Sequence, residues 1–273
     1  MQNFMAAFAQ QLDMTKTIVV FSLILVRVMS MVILVPFLGG KNAPIEVKMG
    51  VGVTLTILLW PTVLASVDPN HGLPITPLGY TLMMMKETFV GLVIGFVAGK
   101  VFYTVEIAGQ LIDVLRGANQ VQLQVPEIEE RSSAFGTLQY QLLLALFLAL
   151  DLHHPFIASL FESFVAVPIN DFPHFRAGFA AFVDYNARIT ADILAIAILI
   201  AMPVGIVTLT TETVFGLINR VAPQINAYFM AMPAKVLGGC MVFFLSIDML
   251  IESMLKHSVT MLGAVDAVIQ LME

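Results

Sequence analysis

The chain has 273 residues, of which 59% are hydrophobic and only 12% are charged, and its formal net charge at pH 7 is −6. Soluble domains carry about 25% charged residues, so this composition, with a mean hydropathy of +0.91, indicates a membrane protein and excludes an ordinary soluble domain. The chain has no basic stripe, which excludes a nucleic-acid partner, and its single cysteine, Cys240, excludes an intrachain disulfide.

Apolar segments follow one another along the whole sequence. Because a hydrocarbon core of about 30 Å needs about 20 helical residues, we predict apolar helical segments over 17–37, 49–67, 82–105, 138–152, 156–167, 189–210 and 227–255. The short segments 138–152 and 156–167 count as one broken hairpin. The sequence therefore predicts an all-α integral membrane protein with about six apolar helical segments, several of them broken by proline or charge.

The connections between these segments are polar or rich in proline. Residues 1–16 are predicted to form a short interfacial helix rather than a cleaved signal peptide, because they lack a basic start and a small-residue cleavage site. Residues 68–77 and 170–184 are predicted to be loops. No separate soluble domain fits into the remaining residues.

The third apolar segment has a face of small residues. Gly91, Gly95 and Gly99 recur every four residues, which places them on one side of a helix and lets another helix approach closely. This face predicts tight helix packing.

A polar stretch follows this segment, and its residues sort by helix face. Glu106, Gly109 and Asp113 recur at spacings of three and four. Asp113 and Arg116 stand three residues apart with the acid first, which favours an ion pair. Gly117 is a typical residue to end the helix.

Residues 118–125 alternate amide side chains with apolar ones. The amides are Asn119, Gln120, Gln122 and Gln124. An uncharged, amide-rich loop between membrane-grade helices is unusual. We interpret it as lining or plugging a passage.

Several charges fall where lipid would be expected. They are Arg27, Glu106, Asp113, Arg116, Asp192, Glu212, Lys235 and Asp248. Each charge at the bilayer centre costs roughly 2.5–3.5 kcal/mol on insertion scales, so these residues should face protein or water. Two interpretations remain open: buried pairs that fix an assembly, or a proton or ion relay in a small-solute secondary transporter.

Catalytic motifs are not found in the sequence. It has no HExxH, no GxSxG and no glycine-rich phosphate loop. His153 and His154 are adjacent and point about 100° apart on a helix, so they do not chelate as i, i+4 histidines do. We predict no enzyme activity, no metal and no cofactor.

Two blocks of sequence resemble those of the FliR/SctT family, the single-copy membrane component of the type III secretion export gate. The first runs from Glu87 through Gly91 and Gly95 to the pattern A-G-x-x-I-D-x-x-R-G. This pattern is filled by Ala108, Gly109, Ile112, Asp113, Arg116 and Gly117. The second block consists of Gly216, Leu217, Arg220, Ala222, Pro223, Gln224 and Asn226.

This resemblance implies a single membrane domain over residues 1–273 that packs in a helical export-gate assembly. The N-terminal part would be FliP/SctR-like, and residues from about 187 to 273 would form a FliQ/SctS-like hairpin. The implied partners are FliP/SctR-like, FliQ/SctS-like, FlhB/SctU-like and FlhA/SctV-like proteins, exported protein substrates and membrane lipid. The implied location is the bacterial inner membrane, within the basal body of the secretion system.

The resemblance also assigns roles to individual residues. The pore plug would comprise Arg116, Gly117, Asn119, Gln120, Gln122 and Gln124. Interface or buried charges would be Arg27, Glu106, Asp113, Arg220 and Lys235. The structural motif residues would be Gly91, Gly95, Gly109, Gly216, Pro223, Gln224 and Asn226, of which the last two, with Arg220, would hold the turn before the last span.

Three alternatives to this gate accompany the resemblance. The I-D-x-x-R-G version of the first block favours the injectisome (SctT) branch over a flagellar (FliR) gate. A small-solute transporter would place its site at the broken helices. An assembly factor that never touches cargo is the remaining alternative.

Overall fold

A computed structural model describes residues 14–39, 43–66, 76–117, 133–175, 178–224 and 226–273. Within these ranges the chain is helical and contains no strand, which confirms the prediction of an all-α protein. The elements are α1 (Met14–Leu34), a short 3-10 helix (Pro36–Leu38), α2 (Ile45–Ser66), α3 (Pro77–Leu115), α4 (Ala134–Ala149), α5 (His153–Ala166), α6 (Phe179–Val221), α7 (Ala227–Leu245) and α8 (Ile247–Met272). The predicted interfacial helix over residues 1–16 lies mostly outside the described residues.

Five of these helices, α1, α2, α3, α6 and α7, are long and apolar enough to cross a membrane. The count rises to six when α4 and α5 are taken together as one broken span. The prediction of about six apolar segments, including one broken pair, is therefore confirmed.

The last predicted segment, 227–255, consists of two helices, and the interruption lies at Ser246, not at Pro233, which is inside a helix. Helix α7 ends at Leu245 and α8 begins at Ile247. Between them, the Ser246 hydroxyl bonds the carbonyl oxygens of Val242 at 2.8 Å and Phe243 at 3.2 Å. Ser246 has φ −95° and ψ 6°, outside the values of a regular α-helix, and it forms the C-terminal cap of α7.

The predicted loop over 170–184 is too long. Helix α6 begins at Phe179, directly after Gly178, whose φ of +88° suits glycine. The rings of Phe175 and Phe182 lie 5.2 Å apart, and those of Phe175 and Phe179 lie 5.3 Å apart. This aromatic packing stabilises the first turn of α6 within the range that was predicted to be a loop.

Helix α6 also continues past the predicted end at residue 210. The hydroxyls of Thr210 and Thr213 donate to the carbonyls of Ile206 and Leu209, at 2.7 and 2.9 Å. The threonine hydroxyls are thus satisfied within the helix, and α6 runs on to Val221.

The chain divides into two compact units. The first comprises Met1–Gly99, Leu152–Asn186 and Met261–Glu273, as far as these are described. The second comprises Lys100–Asp151 and Ala187–Thr260.

In the first unit, α1 packs closely on α3 at the predicted small-residue face. A Cβ atom on Gly91 would meet the Ser30 hydroxyl and the Arg27 carbonyl, and one on Gly95 would lie 2.9 Å from the Met31 carbonyl oxygen. The close approach predicted from these glycines is present.

In the second unit, α4 packs on the C-terminal part of α3. A Cβ atom on Gly109 would meet the backbone of Gly136. Two turns away, the Phe102 ring contacts Phe147 edge-on, with centroids 5.5 Å apart. These contacts place the start of α4 beside the end of α3.

Candidate functional site

Asp113 lies at the centre of a buried network in the second unit. One oxygen of its carboxylate forms an ion pair with Arg116, one turn further along α3. The pair that the i, i+3 spacing predicts is therefore present. Its side chains are only 6% and 9% exposed, so it is shielded from salt and water.

The second oxygen of Asp113 reaches across to the start of α4. It accepts hydrogen bonds from the Ser133 hydroxyl at 2.5 Å and from the Phe135 backbone N–H at 3.0 Å. The Ser133 oxygen in turn accepts a bond from the Gly136 N–H at 2.9 Å, which caps α4. A single carboxylate thus joins the last turn of α3 to the first turn of α4.

Arg116 extends this network to α7. Its guanidinium lies 4.1 Å from the centre of the Phe135 ring, and it donates to the Cys240 sulfur at 3.2 Å. A Cβ atom on Gly239 would come within 2.9 Å of the Arg116 side chain. Glycine at this position makes room for the arginine.

The predicted plug begins where this network ends. Gly117 has a φ of +79° and donates its N–H to the Val114 carbonyl at 3.0 Å, so α3 ends there as expected. Residues 118–132 lie outside the described residues, and they include Asn119, Gln120, Gln122 and Gln124. Both described flanks of that stretch, Arg116 and Ser133, bind the Asp113 carboxylate.

Glu106 lies on α3, seven residues before Asp113, and is half-buried. The backbone carbonyl oxygen of Glu106 would be 3.1 Å from a Cβ atom added to Gly136. Glu106 therefore lies at the α3–α4 contact. The Asp113–Arg116 pair lies about two helical turns further along α3.

A second buried network surrounds Arg27 in the first unit. Arg27 forms an ion pair with Glu87, and both side chains are 0% exposed. Its two terminal nitrogens donate to the carbonyls of Ser163 and Val167, each at 2.8 Å. The guanidinium also lies 4.1 Å from the centre of the Phe164 ring.

Lys86 completes this network. Its ammonium donates to the carbonyls of Pro168, Ile169 and Asp171 at 2.9, 3.0 and 3.0 Å. It also lies 2.6 Å from the Glu87 carboxylate. The last carbonyls of a helix carry partial negative charge, so the two cations hold the end of α5 and the segment after it.

Lys235 forms an ion pair with Glu212 between α7 and α6 in the second unit. The lysine side chain is 10% exposed and the glutamate side chain is 52% exposed. Lys235 is thus a buried charge with a partner at the protein surface.

The second sequence block begins in the last turns of α6 and continues through the turn before α7. Gly216, Arg220, Pro223 and Gln224 are all exposed. Asn226 caps α7, since its side-chain oxygen accepts a hydrogen bond from the Phe229 N–H at 3.4 Å. Arg220 is therefore not a buried charge within this chain, and an interface role for it stays a prediction.

Sequence reasoning missed several members of these networks. Ser133 precedes an apolar helical run and has the signature of a helix N-cap, which could have identified it. Lys86 and Cys240 had no such local signal, because their partners are distant in the sequence.

Comparison with known proteins identifies a family and several relatives that resemble this chain. The family described as "Bacterial export proteins, family 1" matches residues 18–261. Flagellar biosynthetic protein FliR of Caulobacter vibrioides is 28% identical over 84% of this chain and 88% of that protein. Yop proteins translocation protein T of Yersinia pestis is 30% identical over 81% of this chain and 82% of that protein. Secretion system apparatus protein SsaT of Salmonella typhimurium is 28% identical over 83% of this chain and 85% of that protein.

Proposed function

Because this chain belongs to family 1 of the bacterial export proteins, we propose that it is a subunit of a type III export apparatus. It forms and plugs the gate through which unfolded protein substrates are exported. It is a multi-pass protein of the bacterial inner membrane, within the basal body, and performs no chemistry of its own. Its tasks are to hold a passage closed and to let a chain of any sequence through.

The observation that carries this proposal is the Asp113 carboxylate. It binds Arg116 just before the amide-rich stretch and Ser133 just after it. The two described residues that flank this stretch, Arg116 and Ser133, are therefore held at one buried anchor. An anchor of this kind suits a plug that must keep its place while the passage opens around it.

The amide side chains supply the chemistry of the plug. Asn119, Gln120, Gln122 and Gln124 each carry both donors and an acceptor, without a charge. They can close a pore by bonding to one another or to neighbouring chains. They can also bond weakly to the backbone of any passing polypeptide.

Exposed apolar side chains on α6 and α7 indicate where further partners bind. Leu199 of α6 and Leu237 and Phe244 of α7 are 59%, 72% and 65% exposed, so these helices need further protein or lipid against them. We assign this surface to FliP/SctR-like and FliQ/SctS-like subunits, with residues from about 187 to 273 acting as a FliQ/SctS-like hairpin. FlhB/SctU-like and FlhA/SctV-like proteins complete the assembly.

The proposal places the chain in the injectisome branch. The relatives do not separate the branches, because translocation protein T and FliR match at 30% and 28% identity. Support for the branch comes from the residues Ile112, Asp113, Arg116 and Gly117. The small-solute transporter is not favoured, since the relatives are named for flagellar biosynthesis, translocation and secretion.

Deletion of residues 119–124 tests the plug. We expect the assembled complex with this deletion to leak ions across the inner membrane, measured as conductance in a planar bilayer or as loss of membrane potential. The matched control replaces the four amides with serine at constant length, which should leak less than the deletion. A deletion complex of normal composition by native mass that stays tight would contradict the plug.

A further inference from the structure

Helix α7 is buried along one narrow stripe. Its buried residues are Ala227, Ala231, Lys235, Gly239 and Phe243. They recur every four residues and so lie on one side of the helix. Leu237 and Met241, on its other sides, are 72% and 65% exposed. The contacts of this stripe therefore hold α7 in place.

The C-terminal end of this stripe meets the Asp113 network. Arg116 donates to the Cys240 sulfur at 3.2 Å. The Phe135 ring contacts the Phe243 ring edge-on, with centroids 4.5 Å apart, and its centre lies 4.1 Å from the Arg116 guanidinium. Arg116 therefore contacts α7 both directly and through Phe135.

Gly239 brings the backbone of α7 against the Arg116 side chain. A Cβ atom on Gly239 would lie 2.9 Å from both Cγ and Cδ of Arg116, and 3.3 Å from Cγ1 of Val204 on α6. A side chain at this position would push the arginine aside. The packing of α7, and not the ion pair alone, therefore decides where the guanidinium lies.

The ion pair between Asp113 and Arg116 needs this support. An i, i+3 pair on one helix is weak by itself, and a long arginine side chain loses conformational freedom when it is held in one geometry. The backbone at Gly239 and the sulfur of Cys240 limit the conformations open to Arg116. The pair can therefore persist in the geometry that joins α3 to α4.

We propose that Gly239, Cys240 and Phe243 are positioning residues of the plug. They hold Arg116 in its pair with the carboxylate and so fix the end of α3 that precedes the amide-rich stretch. The inference rests on the proposed function of residues 119–124 as a plug. It adds a third helix, α7, to the two that the carboxylate joins. Loss of these contacts should loosen the plug while the complex stays assembled.

Cys240→Val and Cys240→Ser form a matched pair in the complex assembled with its co-expressed partners. Valine has no hydrogen-bond acceptor, whereas the serine hydroxyl can still accept a bond from Arg116. We expect the valine variant to raise the ion conductance of the complex in a planar bilayer about fivefold, which corresponds to the loss of one hydrogen bond. The serine variant should stay as tight as the parent. Native mass checks that both complexes have the same composition.

Gly239→Ala should have a larger effect, because its methyl group displaces the Arg116 side chain. We expect the conductance to rise about tenfold. Gly263→Ala on α8 is the control, since no atom lies within 4 Å of its added Cβ. Phe243→Leu loses the edge contact with Phe135 and should also leak. A tight Phe243→Leu complex would remove Phe243 from the positioning set.

A double-variant cycle separates positioning from simple destabilisation. Arg116→Lys keeps the charge that pairs with Asp113 but lacks the planar fork of arginine. If Cys240 acts through Arg116, Cys240→Val should add no further conductance in the Arg116→Lys background. The unfolding midpoints of the two variants in detergent should likewise be non-additive. An additive rise in conductance, or additive midpoints, would show that Cys240 stabilises α7 independently of Arg116 and would overturn the proposal.

Deletion of residues 119–124 distinguishes failure of this inference from failure of the plug. If the deletion complex leaks while Cys240→Val and Gly239→Ala complexes of normal composition stay tight, α7 does not position the plug. If the deletion complex stays tight, the plug itself is wrong and its positioning by α7 is wrong with it. Non-additive midpoints would then show only that α7 holds Arg116.

Discussion

Arg27 and Glu87 are sixty residues apart in the sequence and form an ion pair from which solvent is fully excluded. Their partners differ. Arg27 also donates to two backbone carbonyls, whereas Glu87 faces a second cation, Lys86. The glutamate therefore balances two positive charges, and the cluster should respond unequally to the loss of each member.

Glu87→Gln should destabilise the chain more than Arg27→Met. Removing one partner of a buried pair costs about 3–5 kcal/mol, and loss of Glu87 removes the paired carboxylate from both Arg27 and Lys86. Loss of Arg27 leaves Glu87 paired with Lys86. Thermal unfolding in detergent measures the order, with the exposed Glu46→Gln as control. Equal losses for the two variants would contradict the shared role of Glu87.

Exchange of Asp113 and Arg116 should rescue only part of the loss caused by either single reversal. The exchanged pair restores one ion pair, but an arginine at position 113 cannot accept the bonds from Ser133 and the Phe135 N–H. Unfolding and ion leak of the three variants measure this. Full rescue would show that the bonds to α4 contribute nothing.

Ser133→Ala tests the contribution of the Ser133 hydroxyl to this contact between α3 and α4. The variant loses the cap of α4 and the hydroxyl bond to Asp113, which together should cost about 1–2 kcal/mol. Ser133→Thr keeps the hydroxyl and serves as the control. Ion leak should rise with Ser133→Ala and stay unchanged with Ser133→Thr. An alanine variant as stable and as tight as the parent would remove Ser133 from the anchor.

Gly91→Ala should separate α1 from α3. Its Cβ atom would meet the Arg27 backbone carbonyl, which cannot move without moving the helix, so we expect a loss of about 1–3 kcal/mol. Gly263→Ala on α8 is the matched control, because no atom lies within 4 Å of its added Cβ. The control should gain about 0.5–1 kcal/mol from helix propensity. Unfolding midpoints of the two variants should shift in opposite directions.

His257 should make the chain less stable in mild acid. Because burial lowers the pKa of His257 below its ordinary value of 6.5, the unfolded chain binds more protons than the folded chain just below pH 6.5. Stability is therefore lost as the pH falls through that value. Unfolding midpoints between pH 7.5 and 5.5 should fall less for His257→Gln than for the parent. Parallel curves would contradict this origin.

Local sequence patterns predicted the features that depend on neighbours along one helix. Asp113 and Arg116 pair because one helical turn brings them together, and Gly117 ends α3 because it adopts a positive φ. The close packing at Gly91 follows equally from spacing. Such features need only the period of the helix and the size of the side chain.

Contacts between distant segments could not be predicted in this way. Nothing near Arg27 indicates that it will bind the carbonyls of Ser163 and Val167, because those contacts depend on how α1 and α5 are packed. The error at Ser246 has a different cause. Apolar residues continue on both sides of Ser246, and neither a proline nor a glycine marks the position at which α7 ends and α8 begins.

Lys86 supplies the Glu87 carboxylate with a cation that cannot dissociate from the first unit. Three peptide carbonyls and one carboxylate surround its ammonium, which is an oxygen coordination that a potassium ion could also accept. In this fold the cation is tethered by its own side chain. The segment after α5 should therefore keep its conformation in potassium, sodium or choline buffers alike, and it needs no ion from solution to assemble.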